Sequence, residues 1–289
     1  DVEFDVADTA ANLAAQVASG VAQGYGPDSL EDADSVFVES GAAVTAAQAE
    51  SVQDLLNYSG GDIDISDTAA ALISAGDHVL NVNGVDVVTV NDGATTAQQG
   101  AMLAGFTADV QFDVADDVGA LKSVMGTNDP ASYLTEANSI TVNDGTGSSV
   151  VNASDGAILA GFTADVEFDV VDTANLVAAE VAGSGYGSGS LDEANDLVVS
   201  GGDIDTAAAA AIQQISEYNE TGSAYEITDN AAAVISAGDS VIEDGGVTRV
   251  EVTGDASAAQ GVDLNAYSAN VDFDVRDTAE NIADNSGSL

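Results

Sequence analysis

Residues 2–13 read V-E-F-D-V-A-D-T-A-A-N-L, and the phrase returns with small changes along the chain. It is I-D-I-S-D-T-A-A-A-L from Ile63, V-Q-F-D-V-A-D-D-V-G-A-L from Val110 and V-E-F-D-V-V-D-T-A-N-L from Val166. It is Y-E-I-T-D-N-A-A-A-V from Tyr225 and V-D-F-D-V-R-D-T-A-E-N-I from Val271. A phrase repeated this often marks an architectural unit, and the chain is read as a repeat protein.

Within the phrase, Val2, Phe4 and Val6 alternate with Glu3 and Asp5. That is period two, a strand with one buried face. Asp8-Thr9 then precedes A-A-N-L-A-A-Q-V, and an Asp or Thr before an Ala-rich run is a helix-start signal. Leu13 and Val17 fall on one stripe of that helix. The loop G-Y-G-P-D-S-L ends it, a second strand runs over Val36-Phe37-Val38, and T-A-A-Q-A-E-S-V-Q-D-L-L predicts a second helix. Val52, Leu55 and Leu56 form the apolar stripe of the second helix.

The same order of strand, helix, strand, helix divides the chain into units at about 1–60, 61–108, 109–164, 165–222, 223–269 and a partial 270–289. The second strands of the later units are V-V-T-V-N-D-G from Val87, I-T-V-N-D-G from Ile140, L-V-V-S-G-G from Leu197 and V-E-V-T-G-D from Val250. A longer period sits above the units. Tyr25 matches Tyr186, Ser74 matches Ser236 and Phe112 matches Phe273, an offset of about 161 residues. A-G-F-T-A-D-V occurs at both Ala104 and Ala160, which supports duplication of an already duplicated segment. Steps of this size suit one coil of a leucine-rich-repeat-like array, and strands joined by helical crossovers are parallel. The expected fold is α/β, tandem strand–helix repeats forming an elongated solenoid with parallel strands.

The phrase V-A-D-T-A-A-N-L at Val6–Leu13, alternating with V-N-D-G at Val90–Gly93, resembles the D-T-A-A-N-type tandem repeats of very large secreted or surface proteins of bacteria. That resemblance covers nearly the whole chain. It implies an extracellular structural or adhesive role, sometimes near hemolysin-type calcium repeats, and it brings no catalytic residues. The chain departs from the simplest pattern in its long G-Y-G loops and in D-D-V-G at Asp116.

Composition narrows the partners. Fifty Asp and Glu against three basic residues (Lys122, Arg249 and Arg276) give a formal net charge of -47. Binding polyphosphate needs a basic footprint, so nucleic acid is excluded, and so is adsorption to an anionic membrane surface. Disordered acidic chains are poor in apolar residues, whereas this one is 45% hydrophobic with ordered periodicity. Self-repulsion on this scale favours a setting rich in cations. No Cys offers a disulfide or thiolate site. No apolar run reaches the roughly 18 residues of a membrane span, and no signal-peptide pattern opens the chain. Residue 1 is read as the start of a mature or excerpted segment.

An enzyme is not expected. His78 is the sole His, read as an exposed loop residue, and its counterpart in the later super-repeat is Ser240. No nucleophile elbow, phosphate loop or dinucleotide fingerprint accompanies it. The candidate metal ligands are the outward strand positions Glu3, Asp5, Asp62, Asp64, Asp113, Glu167, Asp169, Asp272 and Asp274. If like strands stack side by side, these carboxylates stand about 4.8 Å apart and repel by about 3–4 kcal/mol at an effective dielectric near 20. Bridging Ca2+ relieves such a row, because calcium takes six to eight oxygens. N-D-G at Asn91 and Asn143 has calcium-loop residue types but also makes ordinary turns. Asp8, Asp67, Asp172 and Asp277 are expected as helix caps. Glycosylation sequons stand at Asn57, Asn152 and Asn219, and Tyr25 and Tyr186 are candidate contact tips.

The sequence opens on a V-E-F strand and closes after one strand and one helix, neither of which reads as a polar capping coil. Uncapped coils stack on other coils, and contacts that do not close make filaments. The expected function is therefore an extracellular or cell-surface structural protein, a subunit or segment of a self-assembling filament, sheath or surface layer. Its partners are then cations and other copies of itself, joined head to tail or laterally. The alternative is the stalk or binding region of a giant calcium-dependent adhesin.

Overall fold

The computed structural model describes residues 3–23, 30, 32–125, 134, 136–145, 147–161, 165–183 and 191–289. Val2 and the two G-Y-G loops around Tyr25 and Tyr186 lie outside the described residues. The chain forms two compact units, Asp1–Gly145 with Thr163–Asp165, and Thr146–Phe162 with Val166–Leu289.

In the first unit, β1 (Asp5–Thr9), β2 (Ser35–Glu39) and β3 (Tyr58–Gly61) form one sheet. A second contains β4 (Ile63–Asp67), β5 (Val85–Val90) and β6 (Val110–Gln111), and β7 (Asp113–Asp116) pairs with β8 (Ser139–Val142). In the second unit a six-stranded sheet follows chain order. It runs β9 (Val150–Val151), β11 (Asp169–Asp172), β12 (Asp196–Ile204), β13 (Ala224–Asn230), β14 (Val247–Ala256) and β15 (Val271–Val275), with the two-residue β10 (Val166–Glu167) just ahead of β11. These pairings are parallel, as helical crossovers require. The protein is therefore mixed α/β with parallel strands.

Most helices span only seven or eight residues, below the roughly 12–15 at which an isolated helix becomes marginal in water. They are held by caps and packing. Thr45 with Gln48, Thr96 with Gln99, and Ser257 with Gln260 form capping boxes, in which side chain and backbone satisfy each other reciprocally. Ala at the helix–sheet contacts lets the layers approach closely: Ala46, Ala49, Ala97, Ala153, Ala209 and Ala258 are all buried. The expected second-helix stripe is shorter than the sequence suggests. Helix Ala46–Gln53 ends in a C-cap at Asp54, so Val52 and Leu55 are buried while Leu56 is 89% exposed.

The Asp of the repeated phrase does more than start its own helix. Thr68, Asp117, Asn230 and Thr278 cap the helices that follow them, accepting from the amides of Ala71, Ala120, Ala233 and Asn281. The Asp just before each cap spans two helices. Oδ1 of Asp67, Asp116, Asp172, Asp229 and Asp277 accepts from the amide of the next residue. Oδ2 of the same residues reaches back to the first residue of the preceding helix, accepting from the amides of Ala46, Ala97, Ala153, Thr206 and Ala258 at 2.9–3.2 Å. Asp92, from the N-D-G turn, gives Ala69 the same acceptor at 3.1 Å. The sequence expectation that Asp67, Asp172 and Asp277 cap their own helices is corrected: each clasps the helix behind it through Oδ2, whereas Asp8 bonds only within its own helix start, to the Thr9 amide and Asn12. A helix N-terminus leaves amides without partners and carries partial positive charge, so a carboxylate is the acceptor best suited to it.

The apolar faces of the repeated strands are buried unequally. Phe112, Val114, Phe168 and Val170 are buried, Phe273 and Val275 are half-buried, and Phe4 is 40% exposed. What covers Phe112 and Phe168 is the preceding helix, which carries glycine at its fourth position. A Cβ on Gly156 would stand 2.8 Å from Val170 Cγ2 and 3.2 Å from Phe168 Cε2, and one on Gly100 would stand 2.8 Å from Val114 Cγ2.

Helix propensity alone favours Gly156→Ala by about 1 kcal/mol, whereas overpacking costs about 1–3 kcal/mol. The contact is expected to win, and Gly156→Ala should lower the urea midpoint. A raised midpoint would show the Phe168 ring yielding freely.

The clasps carry a pH signature. Burial pushes the Asp229 carboxyl up, but donors from Thr206 and Asn230 outweigh it and hold it below the usual carboxylate range. Donors from Asn281, Thr278 and Ala258 depress Asp277 likewise. A depressed carboxylate contributes stability that is complete above its unfolded pKa near 3.9 and lost as pH falls through the folded-state value. Asp229→Asn should reduce the urea midpoint at pH 7, where such an acceptor is worth about 0.5–2 kcal/mol, and match the parent protein near pH 2. An equal deficit at both pH values would remove the carboxylate's charge from the account.

Candidate functional site

The outward strand positions were the candidate metal ligands, on the condition that like strands stack side by side. The register does not meet that condition. The neighbour of β1 is β2, which places Asp5 opposite Ser35, and Ser35 Oγ donates to Asp5 Oδ1 at 2.7 Å. Asp113 stands opposite Ser139 and accepts from its hydroxyl at 2.8 Å. Asp169 accepts from Ser149 Oγ. Glu3 and Glu167 are exposed, and Asp64 lies opposite Val87. A serine hydroxyl meets three of these acids, from directly across the ladder at Asp5 and Asp113 and from the residue before Val150, the ladder partner of Asp169. Other candidates do face carboxylates: Asp169 lies opposite Asp196, Asp272 opposite Glu251 and Asp274 opposite Asp255, and a hydrogen bond with Asp86, together with repulsion from it, holds Asp62 above the usual carboxylate range. Among the described residues no group of three or more His, Cys, Asp or Glu side chains is arranged to hold a metal ion.

The fold builds a cross-strand row of charge that includes one candidate, Asp272, and joins to it Asp203, Glu226 and Arg249. Asp203 lies opposite Glu226, and Glu226 opposite Arg249, on β12, β13 and β14. Arg249 Nη1 stands 3.5 Å from Glu226 and 3.2 Å from Glu251, and its Nη2 stands 3.0 Å from Asp272 on β15. Asp203, Glu226, Arg249 and Asp272 are each 23 residues apart, as the pair separations of 23 at Glu226–Arg249 and Arg249–Asp272 record. That spacing was the available signal. Arg249 occupies the position in the row where a bridging cation would otherwise stand. Asp274, opposite Asp255, remains exposed, and Arg276 pairs with Asp255 at 3.4 Å.

The remaining candidates fall in ordinary surroundings. His78 sits in the short helix Asp77–Leu80 rather than in a loop, with its side chain 70% exposed and Nε2 3.6 Å from Glu50. Its neighbour Asp77 accepts from the amides of Thr107 and Ala108 and the Thr107 hydroxyl, which depresses its pKa. Asn57 Nδ2 donates to the carbonyls of Leu30 and Ala33, an internal bracing role. Asn152 is a helix N-cap and Asn219 accepts from Gly222. N-D-G at Asn91 and Asn143 forms turns with Gly93 and Gly145 at positive φ, and Asp92 of the first is a clasp. No protein family, curated protein or solved structure matches this chain.

Arg249→Gln should expose the mutual repulsion of Glu226, Glu251 and Asp272. Its melting temperature is expected to fall below that of the parent at low ionic strength. The gap should close towards 1 M salt, where the screening length is about 3 Å. A gap independent of salt would mean that Arg249 acts through packing of its aliphatic stem.

Proposed function

We propose that the chain is an elongated strand–helix solenoid serving as an extracellular structural element, a segment or subunit of a filament, sheath or surface layer, without catalytic activity. The observation that carries this reading is the six-stranded parallel sheet of β9 and β11 to β15, whose strands follow chain order with only the two-residue β10 lying outside it. Such an arrangement extends by adding units, and the same Asp-to-amide bond recurs from one step to the next. Titratable groups are spread along the outward face rather than gathered in a cleft, which suits a hydrated lateral surface and diffuse cation screening. No helix among the described residues is long and apolar enough to cross a membrane. The likeness to D-T-A-A-N-type repeats points the same way.

The second reading is a stalk or binding region of a giant calcium-dependent adhesin.

Small-angle X-ray scattering tests the solenoid. A compact chain of this length has a radius of gyration of about 19 Å, and the expected value lies well above it. A value near 19 Å sinks the elongated reading. Light scattering in high salt and calcium separates the two functions: growth of particles supports the filament, and a persistent monomer supports the stalk. A melting temperature unmoved by chelator at constant ionic strength would confine cations to screening.

A further inference from the structure

Of the Asn residues in the chain, Asn83 alone is followed by glycine. The pair lies in the turn from Val82 to Val85, closed by the Val85 amide on the Val82 carbonyl at 3.0 Å. Gly84 holds φ at 102°, in the region that glycine adopts without steric cost. The turn needs this glycine for space as well. A Cβ on residue 84 would stand 2.7 Å from the Gly61 amide nitrogen and carbonyl oxygen, and 2.8 Å from Tyr58 Oη. The fold therefore keeps a residue without a side chain directly after Asn83.

Asn83 is exposed. Among the described residues, neither its carboxamide nor the Gly84 amide makes a hydrogen bond. Other Asn side chains are held in place. Asn57 donates to two carbonyls, Asn152 and Asn230 cap helices, Asn219 joins Asp196 to Gly222, and Asn281 donates to Asp277. A free main-chain nitrogen beside an unheld carboxamide, with no β-carbon to screen it, is the arrangement in which the main chain attacks the side chain.

We propose that Asn83–Gly84 is a self-modification site, at which Asn83 cyclises to a succinimide and opens to aspartate and isoaspartate, with water as the co-reactant. The Gly84 nitrogen gives up its proton and attacks Asn83 Cγ. The N–Cγ bond forms as the Cγ–Nδ2 bond breaks, and Nδ2 leaves as ammonia, taking up that proton. Water then adds to one ring carbonyl. Breaking the new N–Cγ bond yields aspartate, and breaking the original peptide bond yields isoaspartate, whose main chain runs through Cγ.

Both carbonyls of the pair are in use. That of Asn83 accepts from Tyr58 Oη at 3.2 Å, and that of Gly84 from the Ile63 amide at 2.7 Å. Aspartate at this position leaves the main chain as it is and adds one charge. Isoaspartate turns the Asn83 carbonyl into a free carboxylate and lengthens the turn by one carbon, which loosens the join between β4 and β5. In the later super-repeat Gly245-Gly246 stands at the same place, and the Val247 amide closes that turn on the Asp244 carbonyl at 3.0 Å. Glycine in place of Asn83 is thus compatible with the turn.

The experiment incubates the full chain at pH 8 and 37 °C, folded and in urea, and follows each Asn by acid-protease digestion and mass spectrometry with fragmentation that separates aspartate from isoaspartate. Asn83 is expected to convert before any other Asn in the folded chain, at a rate within about tenfold of that in urea, a barrier difference too small for protection by the fold. Conversion of another Asn first overturns the proposal, and so does a folded-state rate slower than this. The aged chain should also melt below a fresh Asn83→Asp variant, while Asn83→Gly keeps its melting temperature through the same incubation. An aged chain that melts with Asn83→Asp would overturn the loosening of the turn by isoaspartate. Neither result depends on whether the chain forms filaments, so this site and the structural role stand or fall separately.

Discussion

One carboxylate holding two amides is the interaction on which the rest of this structure depends. Most of the helices are too short to persist alone, and each begins with amides that the helix itself does not satisfy. The Asp before the cap accepts from the next helix with one oxygen and from the preceding helix with the other. Two consecutive units therefore share one side chain, and neither helix start is complete without its neighbour. Local helix formation becomes conditional on the stacking of units, which is how a chain of small pieces acquires cooperativity. The hydroxyl or amide cap beside the Asp completes the arrangement, so the dipeptides D-T, D-D and D-N are equivalent in this setting.

A second constraint decides which unit follows which. Helices ahead of the Phe strands carry glycine at the fourth position, and those after them carry Leu, Val or Ile. Ring and glycine are complementary in volume, so units of the two kinds are not interchangeable even where their strands read alike. Close packing makes this discrimination strong, because interiors tolerate neither overlap nor void. It also accounts for a super-repeat longer than the unit: the order of small and large residues has to be copied with the fold.

Charge is handled on the other face. At a net charge of -47 the chain repels itself, and the structure limits the damage locally. Serine hydroxyls stand across from Asp5 and Asp113, and Arg249 lies among three carboxylates from three strands. Asp62 is held above the usual carboxylate range by its hydrogen bond with Asp86 and by repulsion from it. Carboxylates still face one another across the ladder at Asp169–Asp196, Asp203–Glu226, Glu251–Asp272 and Asp255–Asp274. Diffuse screening by salt suits such a surface, and the structural role we propose asks nothing more of it.

Much of this was legible along the sequence. Alternation over Val110–Val114 and the Ala-rich runs fixed strand and helix types, because periodicity reports which side of an element is buried. The parallel α/β class followed from the alternation of the two. Spacing even held the clasp, since Asp stands 19 residues after Ala in three places. Its purpose was not legible, because a helix cap and a bond to the previous helix call for the same residue type. Nor was the fate of the outward acids: the register sets Ser35 across from Asp5 and Ser139 across from Asp113, but Asp196 across from Asp169. The sequence by itself determined the elements and their repetition, which depend on near neighbours along the chain. Only the tertiary structure decided which strands lie side by side, and with that which carboxylate meets an amide, a hydroxyl, an arginine or nothing. Those partners are 19 to 31 residues away in the chain, and contact at that range is set by packing rather than by pattern.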